Sequence, residues 1–142
     1  MALLTEEVTA DLRSAFAQLE NPVRLVVFSQ ALADPVSEEV RRLVEELAAI
    51  DPRLTVEPRN FVLDQPRVDE LGIERIPAIA VLGEPSDYGV RLYGLPTGYE
   101  FGSLVDSILD VSRGTSGLAE ATKSALAELE RDVRVRVFST PT

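Results

Sequence analysis

The 142-residue sequence contains no cysteine, no histidine and no tryptophan, and a single methionine. Without cysteine there can be no disulfide, no thiol redox chemistry, no thiolate metal ligand and no cysteine nucleophile within this chain. Without histidine the commonest general base and the commonest metal ligand are missing as well. Positive charge is also scarce: 14 Lys and Arg stand against 24 Asp and Glu, a formal net charge of −10, and Lys123 is the only lysine. Phosphate binding needs clustered basic residues, so neither nucleic acid nor an anionic membrane is an expected partner. The acidity is accounted for by solubility rather than by a cationic ligand. No apolar run approaches the roughly 18 residues of a membrane span, and the N-terminus has no signal-peptide pattern, so a cytoplasmic protein is expected. Dinucleotide-binding, P-loop and zinc-protease motifs are absent.

What remains is ordinary globular material, 45 % apolar and 27 % charged, enough for one domain with a real core. The organising stretch is residues 21–50. The run Val23-Arg24-Leu25-Val26-Val27-Phe28 reads as a buried strand. A short turn leads to Asp34-Pro35-Val36-Ser37, where Asp34 suits an N-cap and Pro35 the first helical position. Val36, Val40, Leu43, Val44 and Leu47 then recur at the spacing of one apolar helix face. On the polar face, Glu38 with Arg42 and Arg41 with Glu45 sit four apart, as solvated pairs do.

Before this stretch, residues 4–20 read as an amphipathic helix with Thr5 as N-cap, closed by Asn21-Pro22. After it, residues 54–63 form a second strand, which Pro58 relegates to a sheet edge because proline cannot donate to a ladder. Asp64-Gln65-Pro66 starts a short helix that ends at Gly72. Residues 77–82 and 88–93 make a hairpin around residues 83–87. The spacing Thr97-Gly98-Tyr99-Glu100 fits a capping box, ahead of a helix with Phe101, Leu104, Val105, Ile108 and Val111 inward. Tyr88, Tyr93 and Tyr99 are expected to pack beside the sheet. The order is one helix, then βαβαββα: an α/β fold with a mixed four-stranded sheet.

Residues 113–117 are the only linker-like stretch, and beyond them the opening pattern returns at an offset of 110. Ser14-Ala15, Leu19-Glu20, Val23-Arg24 and Val27-Phe28-Ser29 recur as Ser124-Ala125, Leu129-Glu130, Val133-Arg134 and Val137-Phe138-Ser139. This is an internal duplication. It divides the chain into a unit over 1–113 and, over 114–142, a linker helix and the first strand of a truncated second repeat.

The βαβαββα order, the strand opening on Ile76-Pro77 and the duplicated entry resemble a thioredoxin fold. More narrowly, residues 21–28, 73–78, 89–101 and 110–113 resemble the N-terminal unit of the two-unit, glutaredoxin-like protein disulfide oxidoreductases. That resemblance implies that Pro77 is cis, that the backbone of Ile76 pairs with extended peptide, and that the first CxxC falls on Asp34-Pro35-Val36-Ser37. Both sulfurs are missing there, and a second CxxC would follow Thr142. The implied activity is protein disulfide oxidoreduction, and the departure leaves a redox-inactive binding or structural module. Catalytic residues, metal ligands and cofactors are therefore expected to be none.

Bland roles suffice for the polar residues. Asp34 as a cap needs no catalytic role, and Ser37 as a nucleophile lacks a histidine beside it. A hydrolase built on Asp34 or Ser37 would need a perturbed carboxylate in a cleft. Neither Glu38, Glu39, Glu45 and Glu46 nor Asp64, Asp69 and Glu70 has the alternating ligand spacing of a calcium loop. The segment Val133-Arg134-Val135-Arg136-Val137 alternates strictly, so it reads as a strand with one face to bury. It is expected to dock on a sheet edge, of its own unit or of a second copy in a homodimer.

Overall fold

In a computed structural model that describes residues 1–30 and 34–140, the sheet has the order β2-β1-β3-β4. Its central strand β1, Val23–Ser29, runs parallel to β2, Leu54–Asn60, and antiparallel to β3, Ala78–Gly83. The fourth strand, β4 (Val90–Tyr93), closes the far side against β3. Since β1 and β3 have neighbours on both sides and helices on both faces, both are continuous apolar runs. Pro58 does lie on an edge strand.

The described residues also form five helices: α1 (Glu6–Phe16), α2 (Pro35–Ala48), α3 (Gln65–Leu71), α4 (Tyr99–Arg113) and α5 (Glu120–Ala127). Alternation along β1 sends Val23, Leu25 and Val27 to one face, where they meet Leu12 and Phe16 of α1, Val40 and Leu47 of α2, and Leu104 and Ile108 of α4. Val26 and Phe28 face the other way, against Val68 and Leu71 of α3. The architecture is the expected α/β one, three helices on one face of a mixed sheet and one on the other.

The extra N-terminal helix is pinned rather than loosely attached. Thr5 caps it by accepting the Val8 N–H at 3.2 Å. At its far end the Arg53 guanidinium donates to the carbonyls of Phe16, at 2.9 Å, and Leu19, while Asp51 holds that guanidinium at 2.7 Å.

Several local expectations are corrected. Val36 is exposed and Ser37 is buried in its place, because the first turn of α2 starts before the apolar stripe has rotated inward. Arg41, not Arg42, collects both Glu38 and Glu45, and Arg42 reaches the Met1 carbonyl instead. Thr97 forms no capping box: Gly98, with φ of 57°, is the N-cap of α4 and no side chain caps it. Tyr93 is half-buried and the Tyr88 ring, though partly exposed, lies beside Gly83 of β3 as expected, but Tyr99 is exposed.

Of the C-terminal helix-strand appendage the helix forms, and the strand does not. α5 buries no residue, and residues 132–140 join no ladder. A strand needs a partner for its backbone, and among the described residues none pairs in a ladder with residues 132–139.

Candidate functional site

Two chain segments meet at one end of the sheet. β1 leaves it towards α2, and β3 enters it from Pro77. The β1–β3 register pairs Phe28 with Ala78, which sets Pro77 opposite Ser29. Asp34, at the start of α2, and the Ile76–Pro77 peptide, which is cis, therefore share the same pole.

At the helix side, Asp34 adopts the extended conformation of an N-cap, and its Oδ1 accepts the Val36 N–H at 3.1 Å. Pro35 opens the helix without a donor to satisfy. The Ser37 hydroxyl donates to Oδ2 of the same carboxylate and is itself buried. That hydroxyl bond holds the Asp34 carboxyl below its ordinary range; desolvation opposes the shift, and backbone bonds from Ser37 and Val36 add to it. A carboxylate so satisfied is a weak base, and a buried serine spending its proton on it is a poor nucleophile. The pair closes the helix start and supplies neither half of a hydrolytic dyad.

On the second segment, Pro77 is buried, and its carbonyl accepts the Gly94 N–H at 2.9 Å, locking the loop entrance to the end of β4. Ile76 is half-buried, and among the described residues nothing pairs with its N–H or C=O. Sequence reasoning missed two neighbours. The Arg75 guanidinium lies 4.2 Å above the Tyr93 ring, and the Glu74 N–H donates to the Tyr93 hydroxyl at 3.3 Å. Together they tie the segment before Ile76 to the end of β4. Only the alternation of β4, which turns Tyr93 to the α3 side, hinted at this.

Beside the pole runs an apolar groove of about 330 Å³ between the first residues of the chain, α2 and the turn into α4. Leu4, Val8, Leu43, Leu95 and Phe101 line it, with Glu39 at its margin. The Glu46 carboxylate anchors its N-terminal wall by accepting the N–H groups of Leu3 and Leu4 at 2.8–2.9 Å. Among the described residues no group of three or more acidic side chains is placed to hold a metal ion, and no helix is long and apolar enough to cross a membrane.

Comparison with known proteins bears on the fold. No family model matches the chain. It is 34 % identical over 110 residues to an NADH dehydrogenase of Ferdinandcohnia aciditolerans, an alignment covering 78 % of this chain and 18 % of that protein. Among solved structures, the NTD_N/C domain of the alkylhydroperoxide reductase AhpF from Enterococcus faecalis superposes with a TM-score of 0.77 at 26 % identity, over 85 % of this chain and 58 % of that one. A protein disulfide oxidoreductase from Aeropyrum pernix gives a TM-score of 0.79 at 30 % identity, over 91 % and 56 %. The chain thus spans under a fifth of that curated relative and somewhat over half of these two structures. In fold and sequence it is a thioredoxin-fold unit related to the N-terminal domain of AhpF and to protein disulfide oxidoreductase, with no cysteine at any position.

Proposed function

We propose that this chain acts by shape and not by electron transfer: a redox-inactive thioredoxin-fold module that engages an extended peptide or protein segment at the Asp34–Ile76 pole, in the cytoplasm. One observation carries the reading. The backbone of Ile76, at the same end of the sheet as the start of α2, has no hydrogen-bond partner among the described residues, while Asp34 and Ser37 at that helix start hold a carboxylate and a hydroxyl already bonded to each other. An extended segment adding to such backbone is held by main-chain hydrogen bonds, with side-chain pockets giving specificity. The groove lined by Leu43, Leu95 and Phe101 supplies such a pocket alongside.

The test is an amide-shift titration of the labelled chain with a reduced, unfolded insulin B chain as probe. Saturable shifts centred on residues 34–38 and 75–77 support the reading. Shifts elsewhere, or none at the highest soluble concentration, reject it.

A second reading is favoured by the duplicated segment 124–139 and by the relationship to protein disulfide oxidoreductase. In it, these residues are the leading part of a longer oxidoreductase whose catalytic Cys-x-x-Cys follows Thr142. The coding sequence beyond that position separates the two, by a Cys-x-x-Cys or by a stop codon.

A further inference from the structure

The two edges of the sheet are not equivalent. In the parallel β1–β2 ladder the Val23 N–H bonds the Arg53 carbonyl and the Phe61 N–H bonds the Ser29 carbonyl, which turns the backbones of Leu54, Val56, Pro58 and Asn60 outward. That edge is blunted. The Leu54 N–H is spent on the Asp51 carbonyl, Pro58 has none, and the Asn60 N–H is held by the Asp64 carboxylate at 2.7 Å. On the other side, the Gly94 N–H bond to Pro77 sets the phase of the β3–β4 ladder, so that Arg91 and Tyr93 turn their backbones outward. Among the described residues nothing bonds their N–H groups. Open edges of this kind accept strands.

The chain also carries a strand sequence without a ladder. Residues 133–139 repeat β1, yet where Leu25, Val27 and Phe28 are fully buried, their counterparts Val135, Val137 and Phe138 are 78 %, 85 % and 88 % exposed. We infer that the segment 133–138 of one copy adds to β4 of a second copy, and reciprocally, in a two-fold dimer. Two patterns fit the occupant to the edge. Val90 and Leu92 of β4 face the α2–α4 side while Arg91 and Tyr93 face the α3 side, and the segment's Val–Arg alternation continues both faces. Charge agrees: residues 131–140 hold three arginines and one aspartate on a chain whose net charge is −10. On the face where Arg134 and Arg136 would emerge, the Arg91 cation of β4 is already paired with Asp87 at 2.6 Å, so the incoming arginines meet a neutralised pair. Pairing of two such segments with each other is disfavoured, because it sets arginine opposite arginine. The inference stands apart from peptide binding at Ile76, and each succeeds or fails separately.

Sedimentation equilibrium of the 142-residue chain at low salt tests it. The expected mass is that of a dimer, and Val135→Pro, placed in exposed chain away from the core, lowers it to that of a monomer. A monomeric parent chain, or a Val135→Pro variant as dimeric as the parent, overturns the proposal. Because the chain has no cysteine, single-cysteine variants map the edge cleanly. Val135→Cys mixed with Val90→Cys gives a disulfide-linked heterodimer under mild oxidation, and mixed with Val56→Cys does not. Cross-linking to the Val56 position instead, or to neither, overturns the assignment to β4.

Discussion

Ser112, the buried penultimate residue of α4, and Asn21, just before β1, close a reciprocal ring of hydrogen bonds across 91 positions of sequence. The Ser112 hydroxyl accepts the Asn21 N–H at 3.0 Å and donates to the Asn21 carbonyl at 2.8 Å, and the Asn21 side-chain amide returns a bond to the Ser112 carbonyl at 2.8 Å. The same hydroxyl takes the Glu20 N–H at 2.9 Å. Four backbone groups at the α1–β1 corner and the end of α4 thus depend on two side chains. Ser112→Ala removes the partner of two part-buried donors and an acceptor, so it should lower unfolding free energy by about 0.5–1.5 kcal/mol. Urea denaturation checks this. A loss under about 0.5 kcal/mol, the size of a neutral surface change, would show that water replaces the serine at no cost.

The Asp34–Ser37 pair makes a prediction about pH. Because the Ser37 hydroxyl is the largest cause of the lowered Asp34 pKa, Ser37→Ala should move the Asp34 titration back up towards the ordinary aspartate value. A carboxyl whose folded pKa is depressed stabilises the fold at pH above its unfolded value. That contribution is lost as pH falls through the folded one. Asp34→Asn should therefore keep the cap yet flatten this part of the acid limb. Carboxyl carbon shifts of Asp34 followed between neutral and acid pH decide the matter, and an unchanged midpoint in Ser37→Ala would contradict it.

If only sulfur is missing from the pole, restoring it should restore chemistry. Asp34→Cys with Ser37→Cys places one thiol at the N-cap of a 14-residue helix and the second one turn on, where Ser37 is now buried. The helix dipole lowers the pKa of an N-terminal thiol below the usual value of about 8.5. The double variant should accelerate insulin reduction by dithiothreitol over the parent chain. A rate equal to the parent's would mean that the pole differs from a working site in more than its two cysteines.

How much of this was legible in the sequence depended on how local the cause was. The Asp34 cap, the Pro58 edge and the apolar stripes follow from residue type and period, and the structure places them as read. The exchange of Val36 for Ser37 did not follow, because the phase of a stripe at a helix's first turn depends on where the helix docks. Arg75 over Tyr93 was invisible for a similar reason: it needs the β3–β4 register before those two residues become neighbours. The segment at Val133 shows the opposite failure. Its alternation is a true strand pattern, but a pattern supplies no partner, and among the described residues it joins no ladder.

Pro58 guards one edge of the sheet, and its removal should be felt in association more than in stability. Pro58→Thr adds an outward N–H next to that of Val56, which has no partner among the described residues. It also gives the unfolded chain more freedom, which costs about 0.4–1 kcal/mol. Light scattering on concentrated solutions should show the variant associating more readily than the parent at equal concentration. No difference would mean that Asn60 and Leu54, through their own bonds to Asp64 and Asp51, already suffice to blunt the strand.

The duplication offers the sharpest comparison, since Phe28 and Phe138 occupy the same place in repeated sequence. Phe28 is fully buried against Val68 and Leu71, so Phe28→Ala removes a large side chain from a packed layer and should cost about 3–5 kcal/mol. Phe138 is 88 % exposed, and Phe138→Ala should change stability by less than about 0.5 kcal/mol in dilute solution, where association contributes nothing. As concentration rises, a docked segment would begin to stabilise the parent chain over Phe138→Ala by mass action. Melting curves across a concentration series therefore read both states of the segment. A Phe138→Ala variant already as damaged as Phe28→Ala at the lowest concentration would mean that the second copy of the pattern is packed within its own chain.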